Sequence, residues 1–191
     1  MSFPLAASFA AQAHTTQRRD DAAGTPYINH PLEVVEILVR CGMSHDVLLS
    51  AAVLHDTIED TATTYDDLVR FFGIVIATLV MEVTDDKTLP KAERKRLQVE
   101  HAKSASAFAK AIKMADKISN LTSIQRELPR GWDRERAEAY FAWAKQVTDN
   151  CTGVCSALEA RLASIYAEGV PIPYIDVPTH DLESRLGCKD L

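Results

Sequence analysis

Ile74-Val75-Ile76-Ala77-Thr78-Leu79-Val80-Met81-Glu82-Val83 is nearly all apolar, and it fits either a buried strand or a buried helix. Which of the two it is decides the fold class. Its ten-residue length, with Ala, Leu and Met inside it, favours a helix. No pair of alternating strands appears elsewhere to build a sheet with, so the chain reads as all-α: a compact helical bundle in one domain.

Working toward the N-terminus, Gly73 closes a short helix that Thr64-Tyr65-Asp66-Asp67 opens, a capping box with Asp in place of Glu. Upstream, Ser44 reads as an N-cap, and Leu48, Ala51, Ala52, Leu54 and His55 carry one helical face as far as Glu59 or Asp60. Pro31 suits the first turn of a preceding helix, which places His30 at its start. Leu32, Val35, Leu38 and Val39 give that helix its apolar stripe, and Gly42 ends it. An opening helix presents Leu5, Phe9 and Ala13 and stops near Thr16, before a polar loop from Gln17 to Pro26.

Toward the C-terminus, Thr84 to Pro90 is a loop, and Ala92 to Lys103 is a charged helix with Leu97 inward. Ala107, Ala111, Met114, Ile118 and Leu121 then keep helical spacing, which puts Asp116 inside a helix. Gly131-Trp132-Asp133 restarts the chain for a face of Tyr140, Phe141, Trp143, Ala144 and Val147. A last helix runs from Val154 to Glu168, stopped by Gly169 and Pro171. The domain is therefore 1-169, followed by a Pro-containing, extended tail over 170-191.

The chain has 191 residues, 47% hydrophobic and 25% charged, which is globular and excludes disorder. Its net charge of −6 lacks the basic footprint of a nucleic-acid binder, so no nucleic-acid partner is expected. A small phosphate ligand needs only a local basic pocket, and Arg18, Arg19, Lys87, Lys91, Arg94, Lys95 and Arg96 form two clusters that can supply one. Cys41, Cys151, Cys155 and Cys188 show no Cys-x-x-Cys spacing and read as reduced thiols, with Cys151 and Cys155 on one helix face. No stretch reaches the ~20 apolar residues of a membrane span, and the N-terminus lacks a basic leader region, so a cytoplasmic protein with no membrane partner is expected.

Chemistry concentrates in His55-Asp56-Thr57-Ile58-Glu59-Asp60, where four ionisable side chains crowd the end of an apolar helix. Carboxylates are rarely buried unless paired or bound to metal, so the cluster either faces solvent or serves a site. Adjacent His55 and Asp56 point about 100° apart on a helix, and both reach one ion only if it lies off the helix between them. His30 and Asp116 are candidates to complete the shell, although a lone His also serves as a cap and a lone Asp is usually solvated. Imidazole with carboxylate suits Mn²⁺, Fe²⁺ or Zn²⁺.

The order His, then His-Asp, then a distant Asp resembles the HD-domain metal-dependent phosphohydrolases. Thr25-Pro26-Tyr27-Ile28-Asn29-His30-Pro31, Leu54 to Thr61, Glu82 to Lys87 and Lys113 to Leu121 are similar to the hydrolase domain of the RelA/SpoT alarmone enzymes, above all to their stand-alone small hydrolases, which include the metazoan SpoT homologs. The resemblance spans roughly Leu5 to Leu162. It implies removal of the 3′-pyrophosphate of ppGpp or pppGpp, usually with Mn²⁺, and no synthetase half. It also implies His30, His55, Asp56 and Asp116 as metal ligands and Glu59 and Asp60 as the acidic pair beside the metal. Arg19, Lys91, Asn120 and Tyr140 fall at nucleotide-contacting positions. One departure is Asp20, where similar enzymes often carry Lys after the Arg. Two alternatives stay open: another nucleotide phosphohydrolase, such as one acting on the 2′-phosphate of NADPH, and a catalytically silent nucleotide- or metal-binding regulator. The intact Glu59-Asp60 pair speaks against the second.

Overall fold

The computed structural model describes residues 3–171 and contains ten helices among them. The deciding stretch is helical: α6 (Ile74–Val83) follows α5 (Tyr65–Phe72) with only Gly73 between them. Gly73 has φ 84, a conformation a side chain resists. Its N–H closes α5 on the Val69 carbonyl while its own carbonyl accepts from Ala77 to open α6, so one residue serves both helices. The Thr64–Asp67 capping box forms as the sequence predicts. Ile76, Ala77, Leu79 and Val80 enter the core, but Ile74 and Val75 are each 64% exposed, so the apolar run is buried on one side only.

The remaining helices are α1 (Phe3–Ala13), α2 (Asn29–Arg40), α3 (Asp46–Leu54), α4 (Thr57–Asp60), α7 (Lys91–Ser104), α8 (Ala107–Arg126), α9 (Arg134–Asp149) and α10 (Ser156–Glu168). α8 is the axis of the bundle, packed by α2, α3, α6, α9 and α10. Its buried side chains include Ala111, Met114, Ile118 and Leu121, whereas Ala107, assigned to the same stripe, is exposed. None of the described helices is long and apolar enough to cross a membrane.

Five local expectations are corrected. His45, not Ser44, caps α3, its Nδ1 accepting from the Val47 N–H at 3.3 Å. The helix does not run unbroken to Asp60: it stops at Leu54, and His55 and Asp56 occupy a turn before α4. The side chains explain the interruption, because His55 Nδ1 takes the Ala52 carbonyl at 2.8 Å and the Thr57 hydroxyl takes the Leu54 carbonyl at 2.7 Å, competing with the backbone donors that would continue the helix. α1 buries Ala6 and Ala10, not Leu5, because α1 packs on α3 and small residues let the two backbones approach. In α2, likewise, Val34 and Ile37 join Val35 and Leu38 inside, and Leu32 and Val39 are exposed. Finally, Cys151 and Cys155 share no helix face: Cys151 follows α9, Cys155 precedes α10, and the chain turns between them. Beyond Pro171 the predicted tail, with Cys188, lies outside the described residues.

Candidate functional site

The polar loop ahead of α2 folds back on itself. Arg18 and Pro26 form an isolated bridge, flanked by Arg19 N–H to the Thr25 carbonyl at 2.9 Å and Tyr27 N–H to the Gln17 carbonyl at 3.1 Å. This closure delivers Arg19 and Tyr27 to the side of α8 and starts α2 with His30 turned inward, 2% exposed. His30 Nδ1 lies 3.0 Å from the Ser119 hydroxyl, which itself donates to Glu33 at 2.8 Å. Ser119 has no second proton to give, so His30 Nδ1 carries the hydrogen and Nε2 keeps its lone pair. His55 reaches the same state by another route, since its Nδ1 can only donate to the Ala52 carbonyl.

Both Nε2 lone pairs converge on two carboxylates. His30 Nε2 is 3.1 Å from Asp116 Oδ1 and 3.6 Å from Asp56 Oδ2; His55 Nε2 is 3.1 Å from Asp56 Oδ2 and 4.0 Å from Asp116 Oδ1. Atoms bonded at about 2.0–2.2 Å to one ion stand no more than roughly 4.4 Å apart. All four separations meet that limit, and His55 Nε2 is buried with no hydrogen-bond partner, as a ligand atom awaiting a cation would be. His30, His55 and Asp56 each offer a ligand atom within 4.8 Å of the other two, a group that could hold a metal ion, and the Asp116 carboxylate stands beside both imidazoles.

Neighbours fix the carboxylates. Tyr27 donates to Asp56 at 2.7 Å, while Lys117 and Asn120 donate to Asp116 at 2.8 and 2.6 Å. Burial opposes ionisation of Asp116, yet Lys117 and the histidines outweigh it and hold its pKa well below the ordinary range. Burial likewise works to lower the His55 pKa, but Asp56 and Asp116 overcome it and lift it to about 9, so at neutral pH a cation would take the Nε2 lone pair by displacing a proton.

Glu59 and Asp60 leave α4 in different directions. Glu59 lines the 160 Å³ cleft that also holds His30, His55, Asp56 and Asp116. Its Oε2 accepts the Asp85 N–H at 3.1 Å, Arg94 is 3.9 Å away, and burial lifts its pKa to about 7. Asp60 does not line that cleft; Gln17 donates to it at 2.9 Å, and Lys87 pairs with its other oxygen.

A second cavity of 550 Å³ adjoins the cleft, with Tyr27 and Asn120 in both walls. Arg19, Asn120 and Tyr140 line it together with Trp132, and Arg19 approaches Asn120 at 3.5 Å. Asp20 lines it too. Lys91 does not: it sits at the exposed start of α7, one turn from Lys95, whose ammonium lies 5.6 Å from the Tyr140 ring centre. Reading by residue type missed Tyr27, Ser119, Lys113 and Lys117. The available signal was spacing, because Lys113, Asp116, Lys117 and Asn120 share one face of α8.

The HD domain model matches residues 6–145. The chain is 51% identical over 164 residues to the guanosine-3′,5′-bis(diphosphate) 3′-pyrophosphohydrolase MESH1 of Homo sapiens, covering 85% of this chain and 92% of that protein. It is 49% identical over 162 residues to the same-named protein of Danio rerio, covering 84% and 90%. A solved structure, described as a metazoan ortholog of SpoT that hydrolyzes ppGpp and plays a role in starvation responses, superposes with a TM-score of 0.85 at 46% identity, over 87% of this chain and 94% of that one.

Proposed function

This chain belongs to the HD domain family, and from that premise we propose that it is a guanosine-3′,5′-bis(diphosphate) 3′-pyrophosphohydrolase, converting ppGpp or pppGpp and water into GDP or GTP and pyrophosphate. The observation that carries the reading is about half identity to pyrophosphohydrolases over nine tenths of their length, with the His30, His55, Asp56, Asp116 and Glu59 constellation gathered in one cleft.

His30, His55, Asp56 and Asp116 would hold one divalent ion, Mn²⁺ in this reading, with Fe²⁺ and Zn²⁺ as the other fits to the donor set. Bound there, such an ion lowers the pKa of water from 15.7 towards about 7. Glu59, itself near 7, takes the proton of the water that attacks the phosphorus next to the ribose O3′. The P–O3′ bond breaks, the O3′ leaves with the proton that Glu59 returns, and pyrophosphate departs. Asp60, fixed between Gln17 and Lys87, holds the Thr84–Pro90 loop against the site.

The nucleoside occupies the 550 Å³ cavity, a volume ordinary for a small-molecule site. Tyr140 and Trp132 offer it aromatic surface and Arg19 a bidentate phosphate contact. Initial rates with Mn²⁺ on ppGpp and on NADPH test the substrate: pyrophosphate release from ppGpp is expected to dominate, and negligible release rejects the reading.

A further inference from the structure

Two lysines on one face of α8 line the same cleft, and they are not equivalent. Lys117 is matched: its Nζ is 2.8 Å from Asp116 Oδ2 and lies 4.6 Å from the centre of the Trp143 ring. Lys113 is 7% exposed and, among the described residues, no hydrogen bond or ion pair holds its ammonium, which keeps access to the cleft it lines. Burial, and then the neighbouring Lys117, pull its pKa below the ordinary lysine value; Asp85 acts the other way but turns its carboxylate to Gln98. A lysine is almost never buried without a partner, because desolvating an unpaired ammonium is costly. This one therefore awaits a counter-ion from outside the chain.

The charges of the cleft identify that counter-ion. Asp56, Asp116 and Glu59 are acidic; Lys117 offsets one of them, and a divalent ion would offset the other two. Lys113 is then the surplus positive charge. The cleft is far smaller than the neighbouring nucleoside-sized cavity, so what reaches Lys113 is the phosphate end of a ligand.

We propose that Lys113 is a substrate-binding residue whose ammonium holds the outer phosphoryl group of the 3′-diphosphate, and hence the pyrophosphate that leaves. This rests on the pyrophosphohydrolase reading above and names the side chain that receives its inorganic product. A compact ammonium with three donors suits a tetrahedral oxyanion reached end-on, where a planar guanidinium would need a wider opening.

Lys113→Met keeps the length of the side chain and removes its charge. With Mn²⁺ held in molar excess over inorganic pyrophosphate, the stabilisation of the wild-type melt by pyrophosphate is expected to vanish in K113M. Product inhibition by pyrophosphate should weaken about tenfold or more, as loss of a charge-assisted hydrogen bond implies. The ligand-free variant should melt at or above the wild-type temperature, since it no longer buries an unpaired charge. Lys113→Arg should recover part of the pyrophosphate response. An unchanged pyrophosphate response in K113M overturns the assignment. So does a ligand-free melt several degrees lower, which would give the ammonium a structural partner. Wild-type turnover of ppGpp is read in the same assay: if it is absent while pyrophosphate still discriminates the two proteins, the substrate reading fails and the Lys113 site stands.

Discussion

Glu59 combines three properties that rarely meet in one carboxylate: it is half-buried, it lines the cleft with His30, His55, Asp56 and Asp116, and its pKa is lifted to about 7. Glu59→Gln keeps its size and its acceptance of the Asp85 N–H but removes the base. Metal content should be unchanged while kcat falls about 10²- to 10⁴-fold, the usual contribution of general acid–base catalysis; a variant with full turnover would exclude Glu59 from proton transfer. The same shift has a consequence for stability. The folded carboxyl binds its proton more tightly than the unfolded one, whose pKa is near the ordinary 4.5, so the metal-free protein loses stability as pH rises from about 4.5 to about 7. E59Q lacks that loss and should be more stable than wild type by about 1–3 kcal/mol at pH 8 in chelator, with the difference gone near pH 4.5. A difference that did not vary with pH would mean that the burial of Glu59 does not carry the effect.

Among the elements, those with one dominant signal were legible from the sequence: the capping box of α5, the long α8 carrying Asp116, and α6 once its length was weighed. What the sequence hid were competitions between equals. His55 and Thr57 fit a helix by pattern, and only their bonds to the Ala52 and Leu54 carbonyls end α3 and turn His55 and Asp56 toward the ion position. Tyr27 and Ser119 were hidden for a related reason, since each acts by holding a ligand residue in place and has no diagnostic spacing of its own. Gly73 offers a test at this scale. A Cβ there would meet nothing within 4 Å, so the cost of Gly73→Ala comes from φ 84 alone. It should amount to about 1–3 kcal/mol in denaturant titration with the metal site intact. A neutral substitution would mean that the α5–α6 corner relaxes without strain, and that Gly73 is not what sets the two helices apart.

At the scale of the whole molecule, a protein of net charge −6 is proposed to capture a ligand that is itself a polyanion. Long-range attraction cannot bring the two together, so binding must rely on charges within roughly a Debye length of the cavity, about 8 Å at physiological ionic strength. Arg19 lies in that wall, but Asp20 lies there as well, beside it, with its backbone carbonyl anchored by the Arg130 N–H at 3.0 Å. An acidic side chain at this place opposes each phosphate that enters. Asp20→Lys reverses the charge without disturbing the backbone bond, and it should lower KM for ppGpp about fivefold, the equivalent of about 1 kcal/mol for a partly exposed charge. The gain should shrink as salt is raised, because screening acts on this contribution and not on the buried cleft. kcat should stay level, since Asp20 touches none of the reacting atoms. A KM that is unchanged at low salt would place the phosphates away from Asp20 and leave Arg19 and the α8 lysines as the groups that hold them.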